Sequence, residues 1–361
     1  MGTTASLNPT TSAVDIAGRA ALVYLAIQIL KTLWAWSDSS NSCARGQKHN
    51  FDPQAYAGHQ QYRFSADRTL WLRTRTWLPS STTPWKGVIF IVHGYNEHIA
   101  RYHYVGAALA HEGFAVFGMD HRGHGLSEGD RLYVERFEQY VEDYAAFVRD
   151  TLTVDSESPF VKDSRLNFPA NVSLSSLPRY MLSHSMGGLI ALQLIHNHPD
   201  IEWTGAIMSS GAFQIDPKAI SPTAQVAASI IGAVFPKFRP PNPELENIVK
   251  DPREHERALR DSLNYKTGPT ARWVAEFIKA IAQAPAIMPM IHTPLLIFHG
   301  ELDTATPLEG SKALYAAAGS KIKELHILPK MYHELVHDTC RDEMLDTMVK
   351  WCASVSKHAQ R

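Results

Sequence analysis

The hydrophobic pattern changes period repeatedly along the chain. "QYRFSADRTLWLRTRTWLP", beginning at Gln61, alternates apolar and polar residues about a turn at Ala66-Asp67, which predicts a half-exposed antiparallel hairpin. Short continuous apolar runs follow, as in strands buried on both faces: "GVIFIVHG" (87–94), "FAVFGMD" (114–120), "RYMLSHS" (179–185), "TGAIMSSG" (204–211), "PLLIFHG" (294–300) and "ELHILP" (324–329). Helical periodicity separates most of them, over Tyr102–His111, Val134–Thr151, Gly188–Asn197, Leu308–Ala318 and Cys340–Ser354, with Gly113 closing the first. Strand and helix in alternation predict an α/β fold, a mostly parallel sheet flanked by helices.

Two segments break this rhythm. Residues 153–178 are polar, hold three prolines, and read as a surface insertion; Asn171-Val172-Ser173 is a glycosylation sequon that matters only in a secreted chain. Residues 213–291 hold the apolar run "AQVAASIIGAVF" (224–235), a charged helix and "TARWVAEFIKAIAQA" (270–284), which predicts a helical cap inserted between core strands. The division expected is an N-terminal segment and linker (1–50), a first core part (51–212), the cap (213–291) and a second core part (292–361).

The N-terminus differs in character. "IAGRAALVYLAIQILKTLWAW" runs from Ile16 to Trp36, but its uncharged centre, Ala20–Leu30, is too short to span a bilayer comfortably. Arg19 and Lys31 flank it, and Trp34 and Trp36 sit as interfacial anchors would, so residues 14–36 read as a helix lying on a membrane surface. Packing on the protein's own surface is the alternative. Composition narrows the rest: 361 residues, 45% hydrophobic, 20% charged and net charge −1 give a large globular core and no electrostatic reason to expect nucleic acid. Cys43, Cys340 and Cys352 are too few for a disulfide framework and fit reduced thiols in the cytosol.

The chemistry concentrates where apolar runs end. "YMLSHSMGGLIALQLIHNHP" passes from strand to helix through a tight turn, the shape that exposes a serine on a strained elbow, with Ser185 at its tip. A serine needs an adjacent base, and the base an orienting acid. Asp303, just past the strand 294–300, is the candidate acid, with Glu301 as competitor; His333, on the loop after the last strand, is the candidate base, with His337 as competitor. The oxyanion donors expected are the amides of Met186, at the helix start, and Tyr95, in the loop after the first buried strand.

Five motifs then carry a resemblance. "HGYNEHIARY" (93–102), "FGMDHRGHGLSEG" (117–129), "SHSMGG" (183–188), "FHGELD" (298–303) and "MYHEL" (331–335) resemble the monoacylglycerol lipase family of serine α/β-hydrolases and the related lysophospholipases and caffeoylshikimate esterases. The resemblance spans about residues 60–355 and implies the α/β-hydrolase fold. It also implies Ser185, Asp303 and His333 as catalytic residues, Tyr95 and Met186 as oxyanion donors, and Glu97 and Arg101 at the polar end of the pocket, near glycerol hydroxyls. An i,i+4 ion pair bracing the loop is the other reading of Glu97 and Arg101. Asp120 and Arg122 read as loop braces. The chain departs from the family's pattern at Ser183, which replaces the elbow glycine, at Asn96, where a small residue is usual, and at Val336, where a second histidine is common.

The expected activity is hydrolysis of single-chain acyl lipids, foremost monoacylglycerol, with no cofactor and no metal. Val226, Ile230, Ile231, Val234 and Phe235 of the cap are expected to line an apolar tunnel or to dip into a membrane. The expected setting is cytoplasmic and peripheral to membrane or lipid droplet. A lysophospholipase, a caffeoylshikimate-type esterase, an acyltransferase and a non-catalytic binding protein are the alternatives.

Overall fold

The structure is a computed structural model and describes residues 59–154, 168–169, 172–216, 221–239, 248–265 and 267–359. Residues 14–36, the rest of the 1–50 segment, the sequon asparagine and most of the 153–178 insertion lie outside the described residues.

The continuous apolar runs form strands β3 (Gly87–Val92), β4 (Phe114–Met119), β5 (Arg179–His184), β6 (Gly205–Ser209), β7 (Leu295–Gly300) and β8 (Lys323–Leu328), preceded by the hairpin β1 (His59–Phe64) and β2 (Trp71–Trp77). They pair as one eight-stranded sheet in the order β1-β2-β4-β3-β5-β6-β7-β8, antiparallel at the β1–β2 and β2–β4 pairs and parallel elsewhere. Period two explains why the central strands carry no polar face. In β3, Val88, Phe90 and Val92 enter one core while Ile89 and Ile91 enter the other.

Helices α1 (His103–His111) and α8 (Arg341–Ala359) cover the second of these cores. Helices α2 (Glu138–Leu152) and α3 (Met186–Asn197) cover the first. Among the described residues, three more α-helices stand between β6 and β7: α4 (Pro222–Val234), α5 (Pro252–Arg260) and α6 (Ala271–Ile287). The last of these buries Trp273, Val274, Ile278 and Ile281 in the first core. Between β7 and β8 lies α7 (Leu308–Ala317).

Two expectations are revised. The hairpin is half-exposed only along β1, because β2 lies inside the sheet between β1 and β4; its polar Arg73, Thr74 and Thr76 are buried, and Arg73 pairs with Asp120 at 3.3 Å. The helix expected from Val134 begins at Glu138, because the Gln139 side chain accepts from the amides of Glu135 and Arg136 and closes a turn ahead of it.

Sheet register converges the chemistry. Val92, Ser183, Met208 and Ile297 are cross-strand neighbours in a single row. The residues immediately past that row, at the carboxyl ends of parallel strands, therefore meet at one edge.

Candidate active site

Ser185 sits between the last residue of β5 and the first of α3 with φ 53° and ψ −120°, a left-handed conformation that a non-glycine residue adopts only under restraint. The restraint is visible. The Ser185 amide donates to Ser209 O at 3.0 Å, and its carbonyl accepts from Gly188 N and Ala212 N. Gly187 lets the turn pass behind: a Cβ there would lie 2.1 Å from Val92 O. Ser183, in the position of the missing elbow glycine, points its hydroxyl into the sheet, toward Ile207 O at 3.2 Å and Met208 Sδ at 2.9 Å. The elbow thus closes around a serine.

Asp303 and His333 are brought together. His333 Nδ1 donates to Asp303 Oδ2 at 2.8 Å, and since an ionised carboxylate only accepts, this fixes the tautomer and leaves Nε2 as a lone pair. The carboxylate is further held by the amides of Ala305 (2.8 Å) and Thr306 (2.9 Å), by the Thr306 hydroxyl at 2.9 Å and by His299 Nε2 at 3.2 Å. Burial opposes the charge on Asp303, yet adjoining His333 and the bonds from His299 and His333 hold its carboxyl far below the usual range. Burial likewise lowers His333, but the Asp303 carboxylate outweighs it and raises the imidazole above its ordinary value. The His184 ring, next to Ser185, lies 4.8 Å from the His333 ring, which sets the imidazole beside the elbow. Among the described residues the Ser185 hydroxyl makes no hydrogen bond, so the serine–histidine step is open while the histidine–acid step is made.

The competitors are elsewhere. Glu301 is exposed and accepts from Lys330 N at 2.9 Å; His337 packs on Tyr102 and its Nε2 bonds Glu97 at 3.3 Å.

The loop after β3 reaches the same edge. A Cβ on Gly94 would stand 3.1 Å from Ser185 Cβ, so the Gly94–Tyr95 peptide borders the elbow. Glu97 is buried beneath it and accepts from Gly94 N, Tyr102 Oη (2.7 Å), Arg101 Nη1 (3.1 Å) and His337 Nε2 (3.3 Å). Those four bonds occupy the acceptor sites of its two oxygens. Burial would raise Glu97, but the His337 bond and the Arg101 charge hold it well below its ordinary value. Arg101 also forks onto Glu334. Burial opposes the charge of Glu334, and Arg101 outweighs it, bringing the carboxyl down to about 2. The geometry of Glu97 and Arg101 is that of a brace joining the loop after β3 to the loop of His333.

Of the five side chains expected to line a tunnel, four stand outward and Ile231 is half-buried. Val226, Ile230, Val234 and Phe235 are 55–64% exposed. The physical reason is the opposite face of α4, where Ala224, Ala227, Ala228 and Gly232 are buried and permit close packing; a Cβ on Gly232 would meet Ala271 O at 2.8 Å. Small residues take the interface, and large ones are left in solvent.

Several residues that bear on the site went unforeseen. Thr306 and His299 fix Asp303, and the Asp-x-x-Thr spacing of a side-chain-capped turn is the signal for the first. A buried trio, His93, His121 and His124, lies at the loop after β3. His93 Nε2 accepts from His121 N at 3.0 Å, so its Nδ1 carries the proton and donates to Gly94 O at 2.8 Å. Burial lowers His93 to about 3 and His124 to about 4. Among the described residues no group of three or more His, Cys, Asp or Glu side chains is arranged to hold a metal ion.

Known proteins resemble this chain over most of its length. Residues 83–340 match the family described as Serine aminopeptidase, S33. A monoacylglycerol lipase of Mycolicibacterium smegmatis is 28% identical over 279 residues, 77% of this chain and 91% of that protein. A monoglyceride lipase of Mus musculus is 28% identical over 265 residues, 73% and 80% of the two chains. The crystal structure of a soluble variant of monoglyceride lipase from Saccharomyces cerevisiae superposes with a TM-score of 0.70 at 19% identity, covering 86% of this chain and 99% of that one. That last likeness establishes the α/β-hydrolase fold.

Proposed function

The chain belongs to the Serine aminopeptidase, S33 family, and from that membership we propose that it is a serine ester hydrolase of single-chain acyl lipids, cleaving monoacylglycerol to fatty acid and glycerol. The observation that carries the reading is the strained Ser185 elbow beside a His333–Asp303 pair already bonded at 2.8 Å. The lipase relatives favour an ester over a peptide bond.

In the proposed reaction Ser185 Oγ attacks the ester carbonyl carbon while its proton passes to His333 Nε2. The hydroxyl–imidazole bond forms as substrate seats, because catalytic hydrogen bonds are often long before then. The oxyanion is received by the amides of Tyr95 and Met186; the latter is the first residue of α3, where an amide has no intrahelical partner and the helix dipole is positive. The intermediate collapses, and the leaving glycerol oxygen takes the proton from His333. Water then attacks the acyl-enzyme, giving its proton to His333, which returns one to Ser185 as the fatty acid departs. Asp303 keeps its charge throughout and steadies the imidazolium.

Contact with a membrane belongs to the same reading, through the exposed apolar side of α4 and through residues 14–36, in a cytoplasmic protein peripheral to lipid droplets or endomembranes. Among the described residues no helix is long and apolar enough to cross a membrane. The reading is tested by a hydrolysis panel of monoacylglycerols, diacylglycerols, lysophosphatidylcholine, caffeoylshikimate and an aminoacyl amide, with an added alcohol acceptor in parallel. Long-chain monoacylglycerol should be the best substrate, and Ser185→Ala should abolish both turnover and fluorophosphonate labelling. Preference for another member of the panel, acyl transfer to the acceptor, or labelling that survives Ser185→Ala would replace the reading.

A further inference from the structure

The stretch 248–265, which contains α5, is fastened at both ends to the loops that flank Ser185. At one end Glu334 N donates to Ile248 O at 2.8 Å, and the Asp338 carboxylate accepts from Lys250 N and, at 3.0 Å, from Asp251 N. Both Glu334 and Asp338 lie on the loop that carries His333. At the other end, Asp261 Oδ2 meets His98 Nε2 at 2.8 Å, and Tyr265 is gripped by Asn96. That grip is reciprocal: Tyr265 N donates to Asn96 Oδ1 at 2.7 Å, and Asn96 Nδ2 donates to Tyr265 O at 3.0 Å. A carboxamide is the side chain that satisfies both backbone groups of one residue at once. Asn96 itself is held at φ 52°, in the left-handed region where asparagine is among the better-tolerated residues.

Asn96 immediately follows Tyr95. The peptide bearing the Tyr95 N–H is bounded upstream by Gly94, whose amide is bound by Glu97, and downstream by the clamped Asn96. The Tyr95 ring is set against Trp273 of α6 with centroids 4.6 Å apart. With Asn96 free, the loop would keep its upstream brace and lose its downstream one.

We propose that Asn96 is a positioning residue that aims the Tyr95 amide at the developing oxyanion by clamping the backbone of Tyr265, and that the 248–265 strap links this loop to the loop of His333. The inference rests on the acyl-enzyme reading above. It departs from a purely architectural clamp, which would hold the inserted helices on without affecting the reacting atoms.

The test uses the full chain and a soluble short-chain p-nitrophenyl ester, so that lipid presentation plays no part. Asn96→Gly removes both clamp bonds while accepting the left-handed φ. Asn96→Asp keeps the acceptor for Tyr265 N and places a carboxylate against Tyr265 O. Asn96→Gly should lower kcat and kcat/KM together by about ten- to a hundredfold, the range expected when an oxyanion donor is misaimed rather than deleted. KM should stay within about twofold, and the affinity for a trifluoromethyl ketone that forms the oxyanion adduct should fall by the same factor as kcat. Asn96→Asp should fall by less, with the same pattern. A folded Asn96→Gly protein with wild-type kcat, or one whose loss lies in KM alone, would overturn the proposal; if that variant does not fold, an unchanged kcat in Asn96→Asp overturns it. The underlying reading fails separately: a wild type that neither labels with fluorophosphonate nor turns over any ester would remove the site, and the clamp's role with it.

Discussion

At the scale of single residues, the site is a problem of charge placement. His333 must be neutral to accept a proton, and its pKa is raised because the Asp303 carboxylate outweighs burial. The acid limb of kcat/KM should therefore lie above the ordinary imidazole value of about 6.5, with activity growing as pH rises through it. Asp303→Asn takes away the charge and leaves the burial, so the limb should move to lower pH. The same change removes the group that fixes the Nδ1–H tautomer, and kcat should drop by roughly a thousandfold or more. A pH–rate profile on a soluble ester checks both, and a limb that stays in place after the substitution would show that Asp303 does not set it. The positions of Ser185, Asp303 and His333 at one sheet edge were legible because each follows a strand end, and the expected order serine, acid, histidine is that of the fold. Thr306 and His299 were not, since both touch the acid only after the turn 303–306 has closed. The orientation of Glu97 was equally hidden: a sequence shows an i,i+4 pair with Arg101, whereas the fold also delivers Gly94 N, Tyr102 and His337 to the same carboxylate.

At the scale of elements, α4 is the one whose chemistry disagrees with its surroundings. Its inner face is alanine and glycine, and its outer face carries Val226, Ile230 and Val234 into solvent. The helix was legible from its apolar run, but its orientation was not, because apolar residues, small and large, occupy most of its circumference. The strands were legible for the converse reason: runs such as β3 are apolar at every position, and only burial on both faces accommodates that. If α4 meets a lipid surface, each exposed branched side chain that enters it contributes up to about 1.5–3 kcal/mol. Val226→Glu with Ile230→Glu should then weaken partitioning onto phosphatidylcholine vesicles by at least about tenfold. Turnover of vesicle-borne monoacylglycerol should fall in parallel, while turnover of a dissolved short-chain ester should not change. Equal losses on both substrates would place the two residues in substrate binding instead, as the expected tunnel wall.

At the scale of the whole molecule, the buried histidines make stability a function of pH independently of catalysis. Burial lowers His93 to about 3 and His124 and His184 to about 4, and holds His121 well below its ordinary value. In the unfolded chain each titrates near 6.5. Between those limits the unfolded state binds more protons than the folded one, so stability rises with pH there and is lost as pH falls below about 6.5. At pH 5 a histidine held near 3 to 4 in the folded chain costs on the order of 2 kcal/mol, a sizeable share of the about 5–15 kcal/mol that holds an ordinary domain folded. The depressed carboxylates of Glu97 and Asp303 act in the same direction at still lower pH, their stabilisation being lost as they protonate. Three of the histidines, His93, His121 and His124, pack within 6.0 Å of one another, ring to ring, so a proton on one disfavours a proton on the next, and they take up protons together only when the core opens. The thermal midpoint should accordingly decline steeply from pH 6.5 to 4.5, and cooperative unfolding at 25 °C should occur before pH 4. His124→Gln, which keeps a polar side chain in the cluster but cannot take a proton there, should move the acid transition to lower pH. Near-ultraviolet circular dichroism across that range decides it, since a midpoint constant from pH 7 to 4 is incompatible with four neutral imidazoles in the core. The same measurement separates this unfolding from the acid limb expected of His333, which should reverse when the pH is restored.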